Sequence, residues 1–263
     1  MNRTFRDALT ETDRPLYGGW IVTGSPVVAE IMAGSGLDWV LIDMEHAPNG
    51  LESVLAQLHA VSAYPVTPVV RVPVGDPVVI KQVLDLGAQT ILVPMVSTAE
   101  QARDVAAAAQ YPPAGIRGVG SALARSARWN RVEGYLRNGA DHVSVFVQIE
   151  TTEGVANAAA IAQTPGIDGV FLGPSDLSAS MGLLGQQNHP DVVAAVNDAF
   201  TEIALTGKPY GVNAFDPERA NAYTQDGAQF LLIGADAAIL ARGSEALAQR
   251  YINPSAHGPR ASY

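Results

Sequence analysis

The stretch WVLIDMEHAPNG (39–50) runs four apolar residues into Asp43, then Glu45 and His46, and breaks at Pro48-Asn49-Gly50. Residues 39–42 show no polar alternation, so they suit a strand covered on both faces, as in a parallel sheet. Pro-Asn-Gly reads as a turn into a following helix. A strand whose polar groups gather at its C-terminal end is how an α/β barrel delivers chemistry to its mouth.

Working outward, the same pattern repeats. With Asp38 included, this run is DWVLID (38–43), and seven more accompany it: GWIVT (19–23), TPVVRV (67–72), TILVPM (90–95), HVSVFVQIE (142–150), IDGVFLG (167–173), PYGVNA (209–214) and FLLIGAD (230–236). Ala- and Leu-rich stretches with helical spacing follow near 26–36, 50–63, 76–87, 97–110, 152–163, 189–206, 216–226 and 236–250. Eight strand–helix units predict a (β/α)8 TIM barrel over a doubly wound sheet. Gly36, Gly87, Gly166, Gly207 and Gly227 stand where helix C-terminal caps belong. The pattern predicts one domain over 1–252 and a disordered tail, NPSAHGPRASY (253–263). Residues 111–135, with Arg117, Arg125, Arg128 and Arg131, form a long insertion, and long loops of this kind are often functional.

The bulk properties exclude several classes. The 263 residues contain no cysteine, which removes disulfides, thiolate nucleophiles and iron–sulfur clusters. A net charge of -10 gives no basic footprint for nucleic acid. The polar N-terminus has no signal-peptide core, and no run of about 18 apolar residues suggests a membrane span. A cytoplasmic protein without membrane or nucleic-acid partners is the expectation.

Candidate site residues are the polar groups at strand ends. Gln148 and Glu150 are two apart and face the same side of a strand. Ser175 and Asp176 follow a Gly-Pro turn. Two carboxylates without cysteine or clustered histidines suit Mg²⁺ or Mn²⁺, although Glu150 could equally pair with an arginine and Asp176 could cap a short helix. Arg71 interrupts an apolar strand: it reads as an anion clamp or as the partner of Asp43 or Glu45 in an internal salt bridge. His46 is the histidine at the expected catalytic rim. Trp20 lies near the start of its strand and reaches a cavity only if that strand is short.

The motifs LIDMEHAPNG, VVRVP, LVPMV, YPPAGIRGVGSALARSARWN, VQIET and GVFLGPSDLSASMG closely resemble the HpcH/HpaI aldolase family, in order, from about residue 16 to about 250. The resemblance implies a metal-dependent class II aldolase on a TIM barrel, reversibly cleaving 4-hydroxy-2-oxo acids to pyruvate or hydroxypyruvate and an aldehyde. It implies Glu150 and Asp176 as ligands of a divalent ion (Mg²⁺, Mn²⁺ or Co²⁺), His46 as base, and Arg71 as stabiliser of the enolate. Gln148 and the Ser175 backbone would contact substrate, with Trp20 in the wall and Asp43 and Glu45 in support. Asp85 would raise the basicity of the histidine. The resemblance also implies a homohexamer that exchanges its C-terminal helix, with the arginine-rich loop as a wall at a subunit contact. A Schiff-base mechanism would need a lysine, and the two in the chain, Lys81 and Lys208, are placed on a helix and at the opposite rim. A related acyl-CoA lyase would share the metal logic, and a non-catalytic barrel would have lost some of these residues.

Overall fold

The structure, a computed structural model, describes residues 3–252; the tail expected at 253–263 lies outside the described residues. Eight parallel strands close in sequence order into a barrel: β1 (Leu16–Ile21), β2 (Trp39–Asp43), β3 (Thr67–Arg71), β4 (Thr90–Val93), β5 (Ser144–Ile149), β6 (Gly169–Leu172), β7 (Tyr210–Asn213) and β8 (Phe230–Ala235). Around it run α1 (Phe5–Thr10), α2 (Pro26–Ala33), α3 (Leu51–Val61), α4 (Pro77–Asp85), α5 (Ala99–Ala109), α6 (Thr152–Ala156), α7 (Ala158–Ala162), α8 (Pro174–Ser180), α9 (Pro190–Ala204), α10 (Pro217–Gln225) and α11 (Asp236–Tyr251). The five cap glycines have φ between +75° and +93°, the left-handed conformation in which a Cβ would be strained.

Two cores hold the barrel. Val, Ile and Ala side chains fill the layer between sheet and helices, while aromatic residues fill the interior. Space for the interior rings comes from glycines: a Cβ at Gly169 would lie 2.5 Å from the Phe146 ring, and one at Gly211 2.4 Å from that of Phe230. Phe5 closes the base, its ring 4.8 Å from Trp39 and 5.3 Å from both Phe146 and Phe230. The short helix that carries it, α1, is held by a Thr4–Asp7 capping box.

Two expectations need correction. The first strand spans Leu16–Ile21, not 19–23, so Trp20 sits near its C-terminal end and reaches the mouth without any shortening. The helix expected over 152–163 breaks at Asn157, whose amide donates to the Ser97 carbonyl at 2.8 Å. The insertion at 111–135 follows α5, so it leaves a helix C-terminus at the N-terminal rim of the barrel, opposite the mouth. None of its residues lines this chain's main cavity.

Candidate active site

Strand order places the polar strand ends around one cavity of about 720 Å³ at the barrel mouth, within the usual range for small-molecule sites. Asp43, His46, Arg71, Gln148, Ser175 and Asp176 all line it, and Trp20 stands in its wall.

Asp43 and Arg71 end neighbouring strands in register. The carboxylate accepts from Nε and Nη2 of Arg71, each at 2.8 Å. Glu45 approaches Nη1 at 2.9 Å, and the guanidinium lies 4.3 Å from the centre of the Trp20 ring. The internal salt bridge weighed for Arg71 is therefore real. It leaves one N–H on Nη2 and both on Nη1 without a hydrogen-bond acceptor, since a guanidinium carries five donors and Glu45 Oε2, though close, forms no hydrogen bond. Asp43 also accepts from the backbone N–H of Glu45 at 3.0 Å and of His46 at 3.3 Å, so one buried acid shapes the turn that presents the histidine. Burial pushes the Glu45 carboxyl upward, against the opposing pull of Arg71 and His46. The His46 side chain is 65% exposed, with Nε2 3.9 Å from Glu45.

Glu150 is buried. Its Oε1 accepts from the Met95 backbone at 2.8 Å and its Oε2 from the Gln148 amide. Burial pushes its carboxyl up to about 7; the two hydrogen bonds oppose this, and the charges of Asp176 and Glu45 add to it. The arginine partner weighed for Glu150 is absent among the described residues. Asp176 occupies the first turn of α8 and makes no capping bond; Gly173 holds the cap position. Gln148 Oε1 is buried without a donor.

These groups fit a hard cation. A buried carboxylate is costly without compensating charge, and here a second carboxylate acts on it while a neighbouring amide oxygen has no donor. Gly173 keeps the space clear: a Cβ there would lie 2.7 Å from Glu150 Oε2 and 2.9 Å from Gln148 Nε2. No group of three or more His, Cys, Asp or Glu side chains able to hold a metal occurs among the described residues. What the site offers is two carboxylates, Glu150 and Asp176, and Mg²⁺ commonly takes one or two, with other positions left to water and substrate.

Asp85 is not brought to His46 within one chain. It ends α4 at the opposite rim, where its Oδ1 accepts from Arg117 Nη2 at 2.8 Å. Neither lysine lines the cavity, and Lys208 donates to the Ile167 carbonyl at 2.6 Å. Several contributors escape sequence reasoning. Met95 has φ +57°, a strained conformation for a residue with a side chain, and that geometry accompanies its N–H bond to Glu150. Asn213 accepts from Trp20 Nε1 at 2.8 Å. Asp236 is buried and accepts from the backbone N–H groups of Val22 and Thr23, tying the β1 end to β8. A left-handed Met and long-range partners leave no local signature; an acid directly after FLLIGA is the one visible hint.

The model of the HpcH/HpaI aldolase/citrate lyase family matches residues 16–242. A 4-hydroxy-2-oxo-heptane-1,7-dioate aldolase of Salmonella dublin is 51% identical over 251 residues, covering 95% of each chain. That of Salmonella arizonae is 52% identical with the same coverage. A crystal structure of a family protein from Burkholderia cenocepacia superposes with a TM-score of 0.89 at 38% identity, covering 94% of this chain and 98% of its own. Macrophomate synthase superposes with a TM-score of 0.80 at 27% identity, covering 97% and 92%.

Proposed function

This chain belongs to the HpcH/HpaI aldolase/citrate lyase family and is a carbon–carbon lyase of the class II aldolase type; on that premise we propose how its site works and on what. The substrates are 4-hydroxy-2-oxo acids, cleaved reversibly to pyruvate or hydroxypyruvate and an aldehyde. The observation that carries this reading is a fixed guanidinium, Arg71, and a carboxylate, Asp176, in one cavity wall, with the buried Glu150 close enough behind it for the charge of Asp176 to raise its carboxyl further.

Glu150 and Asp176 would hold a divalent ion, Mg²⁺, Mn²⁺ or Co²⁺. When bound, such an ion polarises the 2-oxo group of the donor. Gln148 and the Ser175 backbone N–H, free in the first turn of α8, orient the donor carboxylate. The uncommitted N–H groups of Arg71 point their dipoles at the oxygen on which charge develops. His46 accepts the proton: from the C4 hydroxyl as the C3–C4 bond breaks, or from C3 of pyruvate in the reverse direction. Trp20 walls the site and stacks on Arg71, and Glu45 holds the guanidinium in place beside Asp43.

Within one chain the carboxylate beside His46 is Glu45, while Asp85 lies at the opposite rim with Arg117; we assign the role of Asp85 to the His46 of a neighbouring subunit. A homohexamer with α11 exchanged fits the surface. Ile239, Leu240, Leu247 and Tyr251 on α11 are exposed, as are Ile116, Val119, Leu123 and Trp129 on the arginine-rich loop, apolar side chains that a subunit contact would cover. No helix among the described residues is long and apolar enough to cross a membrane, and we take the protein to work in the cytoplasm. The 51% and 52% identical relatives carry aldolase names, which favours the aldolase reading over the acyl-CoA alternative.

The test is retro-aldol cleavage of 4-hydroxy-2-oxo acids. Chelator abolishes it, a divalent ion restores it, and borohydride with pyruvate leaves activity intact. A pyruvate adduct trapped on Lys81 or Lys208 would overturn the mechanism.

A further inference from the structure

The two halves of the cavity differ in chemistry. The donor-handling groups come from the ends of β2, β3, β5 and β6. The remaining wall comes from β7, β8 and β1, with Asn213, Phe215, Arg219, Tyr223, Ala235 and Ala238. An acceptor aldehyde attached at C4 must extend into this second half once the 2-oxo acid head is fixed in the first.

We propose that Arg219, with the Tyr223 hydroxyl one turn along α10, binds a carboxylate at the far end of the acceptor, and so selects aldehydes that carry an acid. The inference rests on the aldol reading above and deepens it. Arg219 Nε is buried and has no acceptor, and no ion pair engages this residue among the described residues. A buried N–H without a partner costs free energy that a bound anion would recover. Its guanidinium carbon lies 5.7 Å from the centre of the Tyr223 ring.

Tyr223 is 1% exposed, and its hydroxyl is likewise buried without a partner. Burial pushes that phenol up to about 12, so it stays protonated and offers a donor. The acid in the same turn, Asp216, caps the helix by accepting from the Arg219 backbone at 2.8 Å and forms no ion pair with its side chain. The other guanidinium in the cavity, Arg71, is held by Asp43 and Glu45. Arg219 is therefore the lining guanidinium without a carboxylate partner among the described residues. Phe215, Ala235 and Ala238 give apolar surface for methylenes between the aldehyde and the acid. In a protein of net charge -10, a local cation is needed to draw an anionic acceptor inward.

The experiment compares two acceptors of equal length in metal-loaded enzyme with pyruvate: succinic semialdehyde, which ends in a carboxylate, and butanal, which does not. Exchange of pyruvate methyl protons with deuterated water, which uses no acceptor, normalises each variant. The wild type prefers succinic semialdehyde in kcat/KM. Arg219→Met lowers that preference by about 10–100-fold, the range of a charge-assisted hydrogen bond, acting chiefly through KM. Arg219→Lys keeps an intermediate preference, and Tyr223→Phe lowers it less than Arg219→Met does. A wild type without preference, or an unchanged preference in Arg219→Met, overturns the assignment. A wild type that exchanges no pyruvate protons removes the aldol reading itself, and this inference with it; the exchange control separates the two failures.

Discussion

Asp43 and Arg71 face each other across β2 and β3, and the carboxylate grips Nε and Nη2 of the guanidinium at 2.8 Å each. Both are almost fully buried, at 1% and 5% exposure. The pair fixes the plane of the guanidinium, and through Asp43 it also fixes the turn that carries His46. Asp43→Ala removes one partner of a buried pair, a change that costs about 3–5 kcal/mol. Glu45 remains at Nη1, so the lower end is expected in urea unfolding, with pyruvate exchange lost alongside. A variant as stable as wild type would mean that Glu45 alone compensates Arg71.

Glu150 gives the apo protein a distinctive pH response. Its carboxyl rises from the ordinary 4.5 to about 7 on folding, through burial first. Between those values the folded chain keeps a proton that the unfolded chain releases. Stability without metal therefore falls as pH climbs through this window, by about 3 kcal/mol in total, and levels off above it. In chelator, wild-type Tm drops more between pH 5 and pH 8 than that of Glu150→Gln, which lacks the titrating group. Divalent ion raises wild-type Tm at pH 8 and does little for the variant. Parallel pH slopes for the two proteins would count against the buried carboxylate.

Much of this was legible in the sequence. The eight strands announce themselves because a sheet covered on both faces needs continuous apolar runs, and Trp39 to Ile42 is one. The acids and the arginine at the strand ends stand out against such runs, which is why Arg71, Gln148, Glu150 and Asp176 could be singled out. Phe5 could not: α1 is a short helix, and the burial of Phe5 depends on rings contributed by residues 39, 146 and 230. Arg219 and Tyr223 look like an ordinary helix face, since their role depends on where α10 leans against the mouth. Asp85 marks another limit: its partner Arg117 comes from the loop after α5, so nothing beside it in the sequence reads as a site.

The base and the ion separate by substitution. Glu150→Gln and Asp176→Asn weaken the carboxylate set, so metal affinity and pyruvate proton exchange fall together. Arg71→Ala retains metal binding but raises the exchange barrier by roughly 2–4 kcal/mol, the cost of losing an oxyanion donor. His46→Ala also keeps the metal and slows exchange by about 10²–10⁴-fold, as for a positioned general base. Wild-type exchange in His46→Ala would dismiss this histidine as the base for pyruvate.

Asp85 offers the sharpest test of the assembly. Its carboxylate pairs with the buried Arg117 at the rim opposite its own cavity, so any effect on a histidine must fall on a neighbour's His46. Asp85→Asn is then expected to slow exchange more mildly than His46→Ala, because it acts through the imidazole. Mixing the two variants after reversible dissociation makes the decisive sample. A chain bearing Asp85→Asn still has its own His46, and a neighbour bearing His46→Ala still supplies Asp85. Random mixing in a closed symmetric ring restores about a quarter of the sites, so activity rises above the mean of the two parents. If Asp85 acts within its own subunit, or merely steadies Arg117, no mixed site is complete and activity stays at that mean.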